Sequence, residues 1–229
     1  RSVLLGGLAL NVYALVLVLL RGPVFRTRIY RPMLLNIALS VLPAAVLVLA
    51  LGALLLAVQL ESPPMVWSII AVGGLLWLLL LPNSAYLVTE LNFSHRREED
   101  EETVPLWFDI VLVLTLALSG VVNTLLNVLL AQVVYLAVVY PNDSAPLGRA
   151  DSWILVVAVL LLVSFGMYLG RYLRINSWDV RHPVGFLRKL ARHFSDPRNL
   201  GEVVGFCLTH TVLLAIVYLL VLAPAVAVL

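Results

Sequence analysis

Charge is what this sequence has least of. Only 12% of its 229 residues are charged and 62% are hydrophobic, with a mean hydropathy of +1.03, whereas a soluble domain carries roughly a quarter of its residues as charges. Too little polar surface is left to cover a soluble globule, so the composition assigns an integral membrane protein. The formal net charge of +2 excludes a nucleic-acid-binding surface, which needs a dense basic face. Cysteine is nearly absent. Cys207 stands alone, and without a second thiol neither a disulfide framework nor a thiolate metal site can form. The four histidines are equally uninformative as ligands. His95, His182 and His193 are scattered through polar stretches without metal-ligand spacing. His210 lies in an apolar run with no second histidine placed for bis-histidine haem ligation, and reads as a hydrogen-bonded packing residue. Nucleotide-binding loops, nucleophile elbows and zinc-protease signatures are missing too. No metal and no cofactor is implied.

What the chain does have is long apolar runs. A membrane-spanning helix needs about 20 mainly apolar residues. Six runs qualify, at roughly 3–20, 33–58, 65–81, 106–139, 153–169 and 203–222. The first is read as a span and not as a cleaved signal. No basic segment precedes it, arginines and not a small-residue cleavage pattern follow it, and the sequence starts without Met, so residues are expected upstream. The fourth run is long for one span, but no turn residues interrupt it, and it is read as one tilted helix that projects from the membrane. The fold class is therefore all-α, a polytopic bundle of six spans forming one domain over residues 1–229. Trp67, Trp107 and Trp153 start spans, where an amphipathic ring prefers the interface.

Basic residues favour the cytoplasmic side of short loops. Of the 15 in the chain, four stand in the first connection, two in the third and seven in the fifth, against Arg1 and Arg149 on the other side. Connections one, three and five are thus assigned to the cytoplasm and both termini to the outside, in the cell membrane (plasma or inner membrane). The fifth connection contains "VGFLRKLARHF". On a helical wheel Phe186, Leu190 and Phe194 fall on one arc, with Arg188, Lys189 and Arg192 on the other. That pattern predicts an amphipathic helix lying in the cytoplasmic interface against anionic lipid. The charge run "HRREEDEE", His95 to Glu102, reads as a solvated tip.

Polar residues gather where three spans meet the cytoplasm. The third leaves through "LPNSAYLVTEL", the fourth enters through "WFDIVLVLTLALSG" and the fifth leaves through "GRYLRINSWDV". Asn83, Tyr86, Glu90, Asp109, Arg171, Arg174, Asn176, Trp178 and Asp179 are the candidate ligand-binding residues. Arginines can mark the inner face or complement a helix C-terminus, but guanidinium forks also hold phosphates and carboxylates bidentately. Asp109 in a first helical turn is favoured by the dipole and is a partner for Arg171 or Arg174. The expectation is one cytoplasm-facing, anion-binding polar pocket. Deeper in the fourth span, Ser119, Asn123 and Asn127 share one face with Thr115, Gly120 and Thr124. With His210 they are read as polar packing between helices.

Those three motifs, in that order and spacing, resemble a bacterial family of polytopic membrane proteins known as domain of unknown function 1361, over roughly residues 30–225. Relatives in that family often carry Asp where this chain has Glu90. The resemblance implies the fold and supports the choice of residues but brings no activity. Three roles fit: a binding or accessory/scaffold subunit with possible partner membrane subunits, a membrane-embedded enzyme acting on a phosphorylated lipid or lipid-linked substrate, and a small transporter. The first is preferred, since the sequence shows neither a catalytic signature nor the internal repeat of many transporters.

The charge asymmetry generates a direct prediction. In a Cys207→Ala background, single cysteines introduced between Pro141 and Ala150 should react with a membrane-impermeant thiol reagent added outside. Reaction only from the cytoplasmic side would reverse the orientation.

Overall fold

A computed structural model describes residues 2–27, 31–92, 104–143, 146–173 and 183–221. The described residues contain helices and no strand. The helices are α1 (Ser2–Phe25), α2 (Arg31–Gln59), α3 (Pro63–Leu80), α4 (Pro82–Tyr86), α5 (Leu106–Val139), α6 (Ala150–Tyr172), α7 (Pro183–Phe194) and α8 (Pro197–Val221), with 3₁₀ turns at Leu87–Asn92 and Pro146–Gly148. Among the described residues six stretches are long and apolar enough to cross a membrane: Val3–Phe25, Arg31–Gln59, Pro63–Leu91, Leu106–Val139, Ala150–Tyr172 and Pro197–Val221. The chain is a multi-pass, all-α membrane protein.

The chain divides into two compact units, Arg1–Thr124 and Leu125–Leu229, with the division inside α5. That helix is continuous over 34 residues. At about 1.5 Å per residue it is roughly 50 Å long, well beyond the ~30 Å hydrocarbon layer. Two boundaries differ from the sequence expectation. Helix α1 does not stop at the first arginine but runs to Phe25 through Pro23, because Arg21 is paired inside the protein and does not have to reach water. The third span does not end near residue 81 but runs on to Leu91. Leu81 keeps right-handed helical angles (φ −55°, ψ −39°), and Pro82 opens α4 at a position where a missing N–H is harmless.

In the first unit, α2 and α3 form an antiparallel hairpin closed by a Schellman motif. Ser62 N–H donates to the Ala57 carbonyl and Glu61 N–H to that of Val58. Glu61 takes the left-handed conformation (φ 50°) that the motif requires. The core of this unit combines Leu17 and Val18 of α1, Met33 and Ile37 of α2, Leu87, and Phe108, Leu112 and Leu116 of α5. In the second unit α6 and α8 pack through Tyr168, Leu173, Val203 and Cys207, a cluster against which Leu190 and Phe194 of α7 rest.

One glycine sets how closely α5 and the Pro82–Asn92 segment approach. A Cβ on Gly120 would stand 2.6 Å from the Ser84 carbonyl oxygen and 2.7 Å from Leu87 Cβ. Backbone cannot yield cheaply, so this contact needs a residue without a side chain. Alanine would gain about 1 kcal/mol of helix propensity but overpacking costs about 1–3 kcal/mol. Gly120→Ala should therefore lower the melting temperature in detergent. Gly205→Ala, at a position with nothing within 4 Å, should leave it unchanged or raise it, and equal behaviour of the two variants would contradict the close-approach argument.

Candidate functional site

The polar residues of the first unit converge on α5. Asp109, in its first turn, is fully buried, and Arg21, near the end of α1, is 3% exposed. Arg21 Nε donates to Asp109 Oδ1 at 3.0 Å, and Arg21 Nη1 lies 3.4 Å from the Thr27 hydroxyl, which itself donates to the Arg21 carbonyl. A neutral pair with hydrogen bonds is the form in which charge is tolerated away from water. Glu90, in the 3₁₀ turn, is also buried and accepts from Asn36 Nδ2 of α2 at 2.9 Å.

About four turns deeper along α5, around Asn123, lies an amide and hydroxyl network. Asn123 and Asn11 of α1 exchange two amide hydrogen bonds, 2.8 and 2.9 Å long. Asn123 Nδ2 also reaches the Ser40 hydroxyl of α2 at 3.1 Å. The Ser84 hydroxyl donates to the Ser40 carbonyl at 2.6 Å, which ties α4 to α2. The remaining hydroxyls on this face bond within their own helix: Thr115 to the Val111 carbonyl, Ser119 to that of Leu116 and Thr124 to that of Gly120. A hydroxyl satisfied this way can sit in an apolar interior without a partner from another helix.

The second unit has networks of its own. Tyr218 donates to Gln132 Oε1, while Gln132 Nε2 reaches the Ser152 hydroxyl at 3.2 Å, and Thr211 bonds Ser164. At one end of the unit Asp151 accepts from the hydroxyls of Tyr135 and Tyr140 at 2.7 and 2.6 Å. That bond to a carboxylate holds the Tyr140 phenol above its ordinary pKa. Arg149, 2.7 Å from Asp143 and stacked over the Tyr140 ring, is raised in turn by the Asp143 carboxylate.

Of the residues proposed from sequence, Glu90 and Asp109 are buried, Asn83 and Tyr86 half-buried on α4, and Arg171 exposed in the last turn of α6. Arg174, Asn176, Trp178 and Asp179 lie outside the described residues. Ser119, Asn123 and Asn127 are buried. His210 is half-buried, its Nδ1 lies 2.9 Å from the Phe206 carbonyl and its ring is stacked on Phe206. The apolar arc of α7 is divided: Leu190 and Phe194 pack on the core of the second unit, and Phe186 is half-buried.

Sequence reasoning missed Arg21, Asn11, Asn36, Ser40 and Ser84. Arg21 had already been explained as a topological marker. Asn36 and Ser40 did carry a signal, a four-residue spacing that puts both on one face of α2. Asn11 was a single amide in an otherwise apolar run.

The network predicts the effect of removing its centre. Asn123→Ala leaves the half-buried Asn11 with its bond to the Gly7 carbonyl but takes the donor from its amide oxygen, and a polar group left without a partner away from water costs about 1–3 kcal/mol. The variant should melt earlier in detergent than Thr209→Ala, whose hydroxyl is exposed and bonds only within α8. Indistinguishable melting would mean that the network does not hold the helices.

No curated protein and no solved structure matches the chain. A family model described as a protein of unknown function, DUF1361, matches residues 35–217, and the chain, with its polar motifs inside that range, belongs to this family.

Proposed function

We propose that the chain is a binding or accessory/scaffold subunit of a membrane assembly, seated in the plasma or inner membrane with both termini outside. The observation that carries this reading is how the first unit uses its polar side chains. Arg21 bonds Asp109, Asn36 bonds Glu90, and Asn11, Ser40, Ser84 and Asn123 bond one another. Each of these bonds joins one helical element to another, which is the work of structural joints. The most apolar windows of Arg31–Gln59 and Pro63–Leu91 are each only 11% buried. Such faces suit lipid or further membrane subunits.

The anion-binding part of the reading rests on Arg171, exposed at the end of α6, together with Arg174, Asn176, Trp178 and Asp179 of the sequence that follows. A cation at a helix C-terminus and a second guanidinium three residues on in the sequence suit a phosphate or carboxylate. A second reading, an enzyme acting on a phosphorylated lipid or lipid-linked substrate, is favoured by the two interior carboxylates, Glu90 and Asp109, the residue type that general acid–base chemistry uses.

Extraction in native-membrane nanodiscs followed by mass spectrometry separates the two. The accessory role predicts a second membrane protein retained in fixed stoichiometry. A lone chain that turns over a co-purified phosphorylated lipid would contradict it and support the enzyme.

A further inference from the structure

Helix α7 is held at a membrane face by its neighbours. It stands between the end of one span, at Tyr172, and the start of the next, at Pro197. Its outer surface therefore meets the headgroup region. At about 100° per residue its side chains fall on three arcs. The first faces the protein: Leu190 and Phe194 pack on the core, Phe194 stacks on Phe165, and His193 Nε2 lies 2.8 Å from the Tyr168 hydroxyl. Asn199 also donates to the His193 carbonyl at 3.0 Å, so the C-terminus of the helix is pinned as well. The second arc, Val184, Leu187 and Ala191, is apolar and exposed, Val184 at 69% and Leu187 at 61%. The third, Arg188, Lys189 and Arg192, is basic and exposed.

A free amphipathic helix needs only two arcs, one for lipid and one for water. Three arcs on a helix already fixed to the protein leave an apolar edge next to a basic edge, both facing outward at the membrane surface. We propose that this double edge is a docking surface for a bilayer rich in anionic phospholipid, with Leu187 and Val184 entering the acyl boundary and Arg188, Lys189 and Arg192 contacting the headgroup phosphates. The charge complementarity is direct, and the span that follows also exposes apolar side chains near its start, Leu200 and Val204. Because the helix is pinned before lipid arrives, the surface selects among lipids without a folding step. The inference rests on the membrane-spanning assignment and is independent of the role proposed for the first unit.

The test uses the full chain reconstituted in phosphatidylcholine bilayers containing a minority of phosphatidylglycerol. Retention of spin-labelled phosphatidylglycerol is compared with that of spin-labelled phosphatidylcholine. The wild-type chain should prefer phosphatidylglycerol by about fivefold, and R188Q/K189Q/R192Q should bring the preference below about twofold, since the three basic side chains are what attracts the anionic headgroup. R188K/R192K, which preserves the charge, should retain the preference, and high salt should abolish it in the wild-type chain. In the Cys207→Ala background a nitroxide at Leu187→Cys should be accessible to oxygen from the bilayer, and one at Leu190→Cys should be shielded. Equal retention of the two lipids by the wild-type chain, a salt-insensitive preference, or a nitroxide at position 187 that samples only water would overturn the proposal.

Discussion

A charged or polar side chain in an apolar solvent must be paired, and in this protein the pair that sets the pattern is Arg21 with Asp109. Both are almost wholly buried, and their contact ties the end of α1 to the first turn of α5. Breaking such a pair by removing one partner leaves a buried charge uncompensated, which costs about 3–5 kcal/mol. The pair therefore constrains which helices can be neighbours more sharply than apolar packing does. Lipid tails are as apolar as leucine, so burying one more leucine between helices contributes little to choosing a partner.

The same constraint recurs along α5. Asn123 meets Asn11 and Ser40, Ser84 meets Ser40, and Glu90 meets Asn36. Gly120 lets the segment bearing Ser84 and Leu87 come close enough for these contacts to form. Local backbone, packing and polar pairing thus point to one arrangement of the first unit. Within the second unit Gln132 sits between Ser152 and Tyr218 in the same manner, so amide and hydroxyl groups again join helices there.

Much of the fold was legible because hydrocarbon thickness fixes the length of an apolar run, and all six runs became helices. The fourth was rightly read as one helix, since nothing in its sequence could end it. The junction at Pro82 was not legible, because a proline that opens a helix and one that closes a span look alike in sequence. The site was legible in halves. Asp109 and Asn123 declared themselves by sharing a polar face on α5, a matter of spacing within one helix. Their partners, Arg21 and Asn11, are settled by which helices touch, and no spacing within a single segment carries that information. The family resemblance pointed to the motifs around Glu90 and Asp109 but supplied no partner for either.

A double-mutant cycle on Arg21 and Asp109, read by reversible unfolding in detergent, addresses the central claim. Arg21→Met, Asp109→Leu and the pair together should show a coupling of about 3 kcal/mol, with the double variant more stable than either single change predicts. Effects that add to within about 0.5 kcal/mol would mean that the two residues do not depend on each other, and the account built on their pairing would fail.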